Sequence, residues 1–157
     1  QSILYHYASK ELLLEACVRR AITDLSVALD EAIRKSSHGW DRIESIVKRV
    51  FRLANNRPEL LGLLREVTRL GPPMLTYAVD GIRPLLEGAT MWLTEEMKAG
   101  RVRKSDPELL VLSAYSTIMG AAAEVKLFEA LGEESTIRDV AIRRQELLRF
   151  LKIALIP

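Results

Sequence analysis

From Ser9 onward, Leu14, Val18, Ile22, Leu25, Leu29 and Ile33 recur at steps of three and four residues. That spacing puts them on one face of an α-helix and on no single face of a strand. A stripe this long must be covered by other elements along most of its course. Ser9 stands where an N-cap belongs, with Lys10 and Glu11 in the first turn. Ser36, Ser37, His38 and Gly39 end the helix. His38 reads as a loop histidine, because no Cys, Asp or His stands around it at metal-ligand spacing.

The following segments are written in the same period. Trp40 to Ala54 predicts a helix with Ile43, Ile46, Val47 and Val50 inward. Asn56 and Glu59 form a capping-box pattern for a short helix through Leu70, which Gly71, Pro72 and Pro73 stop. Met74 to Ala99 predicts a helix with Ile82, Leu86, Ala89, Leu93 and Met97 inward and a kink or break near Gly81 to Pro84. Gly100 to Lys104 reads as a basic loop of solvated charge. Ser105 and Glu108 suggest another capping box, ahead of a helix from Pro107 to Leu131 that is apolar almost all round up to Ala123 and therefore buried on more than one side. Gly132 stops it, and Thr136 with Asp139 caps a last helix reaching Ile156. No run alternates with period two and no repeat appears, so the expected fold class is all-α.

Apolar residues make up 48% and charged residues 28% of the 157, the balance of a folded domain with one core rather than of a disordered chain. A net charge of +2 is too small to argue for nucleic acid by electrostatics alone. The longest stretch without a charge, Leu109 to Ala123, is too short to span a bilayer, so no membrane is expected as a partner. No secretory pattern follows Gln1, and the single cysteine, Cys17, reads as a packing residue on an apolar helix face. Together these point to a reducing cytoplasm.

Convergent reactive groups are scarce. His6 and His38 lie at opposite ends of the long helix and cannot share a site within one subunit. There is no Glu-x-x-His pair, no Asp-rich pair and no glycine-rich phosphate loop after a strand. Neither catalysis nor a metal nor a cofactor is expected. Large, soft side chains are spread through the middle of the chain instead: Phe51, Met74, Tyr77, Met91, Trp92, Tyr115 and Met119. Each alone is ordinary core filling, but collectively they suggest a cavity for a small apolar or amphipathic molecule, with Tyr77 and Tyr115 as polar handles.

Two surfaces suggest a second copy of the chain. Ser113, Ser116, Gly120 and Ala123 form a strip of small residues that admits a close neighbour, with Glu124 and Leu127 at its border. The last helix carries a broad stripe of Ile137, Val140, Ala141, Leu147, Leu148, Leu151 and Leu155, and a second patch of Ile142, Phe150 and Ile153 opposite. Arg144 interrupts the broad stripe and should find an acidic partner, with Glu124 the foremost candidate. The expectation is a two-fold, four-helix interface built from these two helices of each protomer.

The opening stretch, SILYHYASKELLL, closely resembles the end of the DNA-binding domain in the tetracycline-repressor (TetR) family of bacterial regulators. In that family the recognition helix closes on a small hydroxyl residue, an aliphatic, Tyr, any residue, His, Phe, any residue, Ser or Thr, and Lys, and the next helix opens with Glu and Leu. Ser2, Ile3, Tyr5, His6, Ser9, Lys10, Glu11 and Leu12 match as written, whereas Leu4 replaces a Tyr and Tyr7 replaces a Phe. The resemblance implies that residues 1–9 are the end of a helix-turn-helix, with Ser2, Tyr5, His6, Tyr7 and Lys10 on the DNA backbone. It implies a ligand-binding and dimerisation domain over 10–157, and a chain lacking the helices that precede its recognition helix. The function it implies is a ligand-responsive repressor of transcription whose partners are operator DNA, a small effector and a second copy. A helical dimerisation or adaptor protein without DNA or small-molecule ligand is the alternative, and an all-α enzyme with an unrecognised site is a weaker third.

Overall fold

The computed structural model describes residues 8–36, 38–132 and 136–157. Among the described residues there are seven helices and no strand: α1 (Lys10–Lys35), α2 (Trp40–Asn56), α3 (Pro58–Leu70), α4 (Met74–Lys98), α5 (Pro107–Ala123), α6 (Val125–Ala130) and α7 (Ile137–Leu155). The fold is all-α, as the periodicity predicts.

Helix α1 begins where the Ser9 hydroxyl oxygen accepts the Leu12 N–H at 3.2 Å, satisfying one of the donors that a helix start leaves open. Its stripe is buried at Val18, Ile22 and Leu25, with Ala21, Ala28 and Ala32 filling the narrow places. It packs on α2, α3 and α4; α2 in turn meets α5 and α7, and α5 meets α4 and α7. The central core of Val18, Val47, Leu61 and Val67 is at most 1% exposed, and burying each such side chain contributes about 1.5–3 kcal/mol. At the far end, the Thr136 hydroxyl accepts the Asp139 N–H while the Asp139 carboxylate takes the Thr136 N–H, so the capping box expected for α7 is present.

Several local expectations need correction. Asn56 is the last residue of α2 rather than a cap, and α3 opens on Pro58, whose missing N–H leaves one fewer donor to satisfy. The cap of α5 is Asp106, not Ser105: its carboxylate accepts the Leu109 N–H at 3.0 Å. The helix expected over Pro107–Leu131 is broken at Glu124, where ψ is 39° and the carboxylate reaches across to Arg65 at 2.7 Å. Pro84 does not break α4, which is held by packing on α1, α3 and α5 along its length. Cys17 is exposed rather than packed, at the flank of the α1 stripe. Among the described residues no helix is long and apolar enough to cross a membrane.

The loop after α4 is not merely solvated charge. Val102 is 1% exposed, and the Arg103 guanidinium donates to the Ile156 carbonyl at 2.9 Å while its backbone N–H donates to the Leu155 carbonyl at 2.8 Å. The loop thus closes the C-terminus of α7, where the last carbonyls have no helical partner.

Candidate functional site

The interior opens into a cavity of about 320 Å³ between α1, α2, α4 and α5, with α7 at its base. Leu25, Leu29 and Ile33 of α1 face it, as do Ile43, Ile46 and Val50 of α2. From α5 come Leu110, Val111, Ala114, Tyr115, Ile118 and Met119, and from α7 Leu151 and Leu155. From α4 come Leu85, Leu86, Ala89, Trp92 and Leu93, with Pro84 and Gly88 exposed at the cavity's open edge.

The cavity lies between two points at which α1 and α4 are fastened together. At one end Gly81 lets the helices touch: a Cβ on it would lie 2.9 Å from both Cδ1 and Cγ2 of Ile22. At the other, Glu96 is 2% exposed and its Oε2 accepts the Gly39 N–H at 3.1 Å, just beyond the end of α1. The turn that brings this N–H round needs φ +59° at residue 39, a conformation glycine adopts without strain. Arg101 completes the clamp with two bonds to the same carboxylate, Nε at 2.6 Å and Nη2 at 2.9 Å. These bonds from Arg101 hold the Glu96 carboxyl below its ordinary pKa against the opposing effect of burial, with the Gly39 N–H and nearby His38 adding to the lowering.

Polar groups on the wall are few. Burial raises the Tyr115 phenol above its ordinary 10.0, so it stays a neutral hydroxyl at physiological pH. The Trp92 indole N–H is buried and meets no acceptor, which costs about 1–3 kcal/mol unless something supplies one. Arg42 lies across the Trp92 ring, its guanidinium carbon 5.4 Å from the ring centroid, and both residues line the cavity. Asp30 joins the wall at an exposed edge.

Of the seven side chains expected at a pocket, Trp92, Tyr115 and Met119 line the cavity. Phe51 and Met74 do not, being buried in the core that fastens α2, α3 and α4. Tyr77 packs against that core with Arg19 over its ring at 5.2 Å, and Met91 is 69% exposed on the outer side of α4. Ser2, Tyr5, His6 and Tyr7 lie outside the described residues, while Lys10 is exposed at the first turn of α1. Sequence reasoning missed Arg42 and Glu96. A signal for each existed: Glu96 follows Ala89 and Leu93 at steps of four and three, and Arg42 precedes Ile46 by four, so each charge sits on an inward face.

The expected contact strip divides. Ser113, Ser116 and Leu127 are exposed and Gly120, Ala123 and Glu124 are half-buried, so the α5 face expected to be covered is open in the single chain. Leu112 and Leu109 extend it. On α7, Leu147 and Leu151 are buried in the chain's own core, and Leu148 packs against it. The open face of α7 is therefore the second patch, Ile142, Phe150 and Ile153. Arg144 is half-buried, and the described partner of Glu124 is Arg65.

No family model matches the sequence, nor does any curated protein. Solved structures do match. A candidate transcriptional regulator from Saccharomonospora viridis, solved in complex with choline, superposes with a TM-score of 0.75 over 99% of this chain and 80% of its own, at 18% identity. A protein of unknown function from Rhodococcus sp. RHA1 superposes with a TM-score of 0.73 over 92% of this chain and 74% of its own, at 21% identity. The chain shares their fold.

Proposed function

We propose that the chain is the effector-binding and dimerisation part of a TetR-type transcriptional regulator, a repressor released when a small molecule fills the cavity between α1 and α4. The observation that carries this reading is the cavity itself, an apolar chamber with α1 as one of its walls. Two further facts support it. A protein of the same fold is a candidate regulator holding a small ligand, and the opening stretch resembles the end of a recognition helix with Ser2, Tyr5, His6, Tyr7 and Lys10 in phosphate-contacting positions.

The mechanism follows from the two fastenings. A ligand entering the cavity bears on Leu25, Leu29 and Ile33 of α1, while Glu96 holds the helix end through Gly39. The turns N-terminal to the buried Val18 then carry the change of direction outward, an arm of roughly 12 Å at 1.5 Å per residue. In a two-fold dimer that movement changes the separation of two recognition helices, which must match half-sites about one helical turn apart. The dimer would form through the open faces of α5 and α7, and the protein would act in the cytoplasm, without catalysis, cofactor or membrane.

Selection of bound duplexes from a random library, using the full-length natural protein, tests the reading. Enrichment of a palindrome with half-site centres about 10 base pairs apart is the expected result. Recovery of no sequence preference would favour the adaptor reading, for which the exposed apolar faces of α5 and α7 are the supporting observation.

A further inference from the structure

We infer that the cavity takes an uncharged molecule with an apolar body and one hydroxyl-type group, lying with that group at Tyr115 on α5 and its apolar end against α1. The inference rests on the cavity being the effector site, and names what that site takes and how it lies there. Helices α1 and α5 both wall the cavity, yet α5 packs on α2, α3, α4 and α7 and forms no interface of comparable extent with α1. The chamber is the space between them, and a molecule that fills it touches both. A volume of about 320 Å³ is at the lower end for small-molecule sites, so the body is compact.

The wall selects against charge. Among the described residues lining the cavity, only Asp30, Arg42, Trp92 and Tyr115 carry side-chain nitrogen or oxygen, and the two formal charges are of opposite sign. Asp30 is exposed, where water and salt weaken its pull. Arg42 is already engaged within the protein, its guanidinium carbon 5.4 Å from the Trp92 ring centroid. A carboxylate or an ammonium group entering the chamber would give up its water with no charge set aside to repay the loss. Tyr115 meets a neutral group instead. The Trp92 N–H is buried, which leaves the Tyr115 hydroxyl, on a residue 37% exposed, as the group a ligand can reach, and a phenol both donates and accepts. Tyr115 and Met119 also border a second cavity of about 220 Å³, beside Thr68 and Ser116, so this end of the chamber is its more polar end. On α1, Leu25, Leu29 and Ile33 offer only hydrocarbon. That difference sets the direction in which the ligand lies.

Calorimetric titration with 1-decanol, decanoate, decyltrimethylammonium and butylbenzene, each below its solubility or micellar limit, tests the charge and the hydroxyl. Decanol should bind at least about tenfold tighter than either ion. Tyr115→Phe should weaken decanol about fivefold while leaving butylbenzene, which has no polar group, within about twofold. In crystals grown with 10-bromo-1-decanol, the anomalous signal of the bromine should fall among Leu25, Leu29 and Ile33. The wild-type ranking and the bromine position need no variant, so they decide the matter if Tyr115→Phe does not fold by circular dichroism. Either ion binding as tightly as decanol would overturn the selection against charge. An equal response of decanol and butylbenzene to Tyr115→Phe would overturn the role of the hydroxyl, and a bromine beside Tyr115 would overturn the direction. Each of these results leaves the effector cavity intact, whereas failure of both decanol and butylbenzene to bind would overturn the cavity reading along with it.

Discussion

Glu96 ties three segments together through one carboxylate. It is the only buried charged residue among those described, and both of its oxygens are engaged. Its partner Arg101 is about half exposed, which discounts the ion pair to the scale of a surface bridge plus one buried hydrogen bond, about 1–2 kcal/mol in all. Because the folded-state pKa lies below the ordinary 4.5, this stability is fully present above the ordinary value and is lost as pH falls through the lowered one. Glu96→Gln should therefore cost about 1–2 kcal/mol at pH 7 in urea unfolding, and the gap to wild type should narrow below about pH 4. A gap that stays constant down to pH 3 would show that the carboxylate's charge plays no part.

Helices α1 and α4 lie side by side because Gly81 has no side chain to keep them apart. Gly81→Ala gains about 1 kcal/mol of helix propensity. It also drives a methyl group against Ile22, whose Cγ2 cannot rotate away as a flexible tip would, and overpacking of this kind costs about 1–3 kcal/mol. The clash wins, giving a net loss of about 1 kcal/mol. Ile22→Ala in the same chain removes both clashing carbons, so a double-mutant cycle should show the second substitution costing less on the Gly81→Ala background than on wild type. Additive losses would mean the contact is slack. Element by element, the stripe of α1, the Gly71 to Pro73 stop and the Thr136 cap were all readable from period and local chemistry. The cavity was readable only in part, since large side chains advertise themselves as pocket residues wherever they fall. Phe51 and Met74 went to the core, while aliphatic residues such as Leu29, Leu86 and Leu110 line the cavity, and their role depends on which helix they face. Capping motifs at Asn56 and Ser105 failed for a nearer reason: Pro58 and Asp106, one or two residues on, took over the helix starts.

At the scale of the molecule, the apolar faces left open by the single chain are where the proposed dimer would form. Leu109, Leu112, Leu127 and Leu131 run along α5 and α6, and Ile142, Phe150 and Ile153 along α7, all between 48% and 71% exposed, and faces of this kind mark contact sites. The proposed dimer should sediment as a dimer at micromolar concentration, and Leu112→Glu together with Phe150→Glu should reduce it to a monomer without disturbing the cavity, since neither residue lines it. A dimer that survives both changes would place the interface elsewhere. The central claim, that filling the cavity moves α1, is open to a direct measurement because the chain's single cysteine, Cys17, is exposed on that helix. Nitroxides attached to Cys17 in the two protomers report their separation by double electron–electron resonance. Saturation of the cavity with decanol, an apolar probe, established by calorimetry, should shift the distance distribution in the wild type, and the same decanol concentration should leave it unchanged in Ala114→Phe, where the added ring occupies the cavity. An unchanged wild-type distribution with the ligand bound would contradict the account.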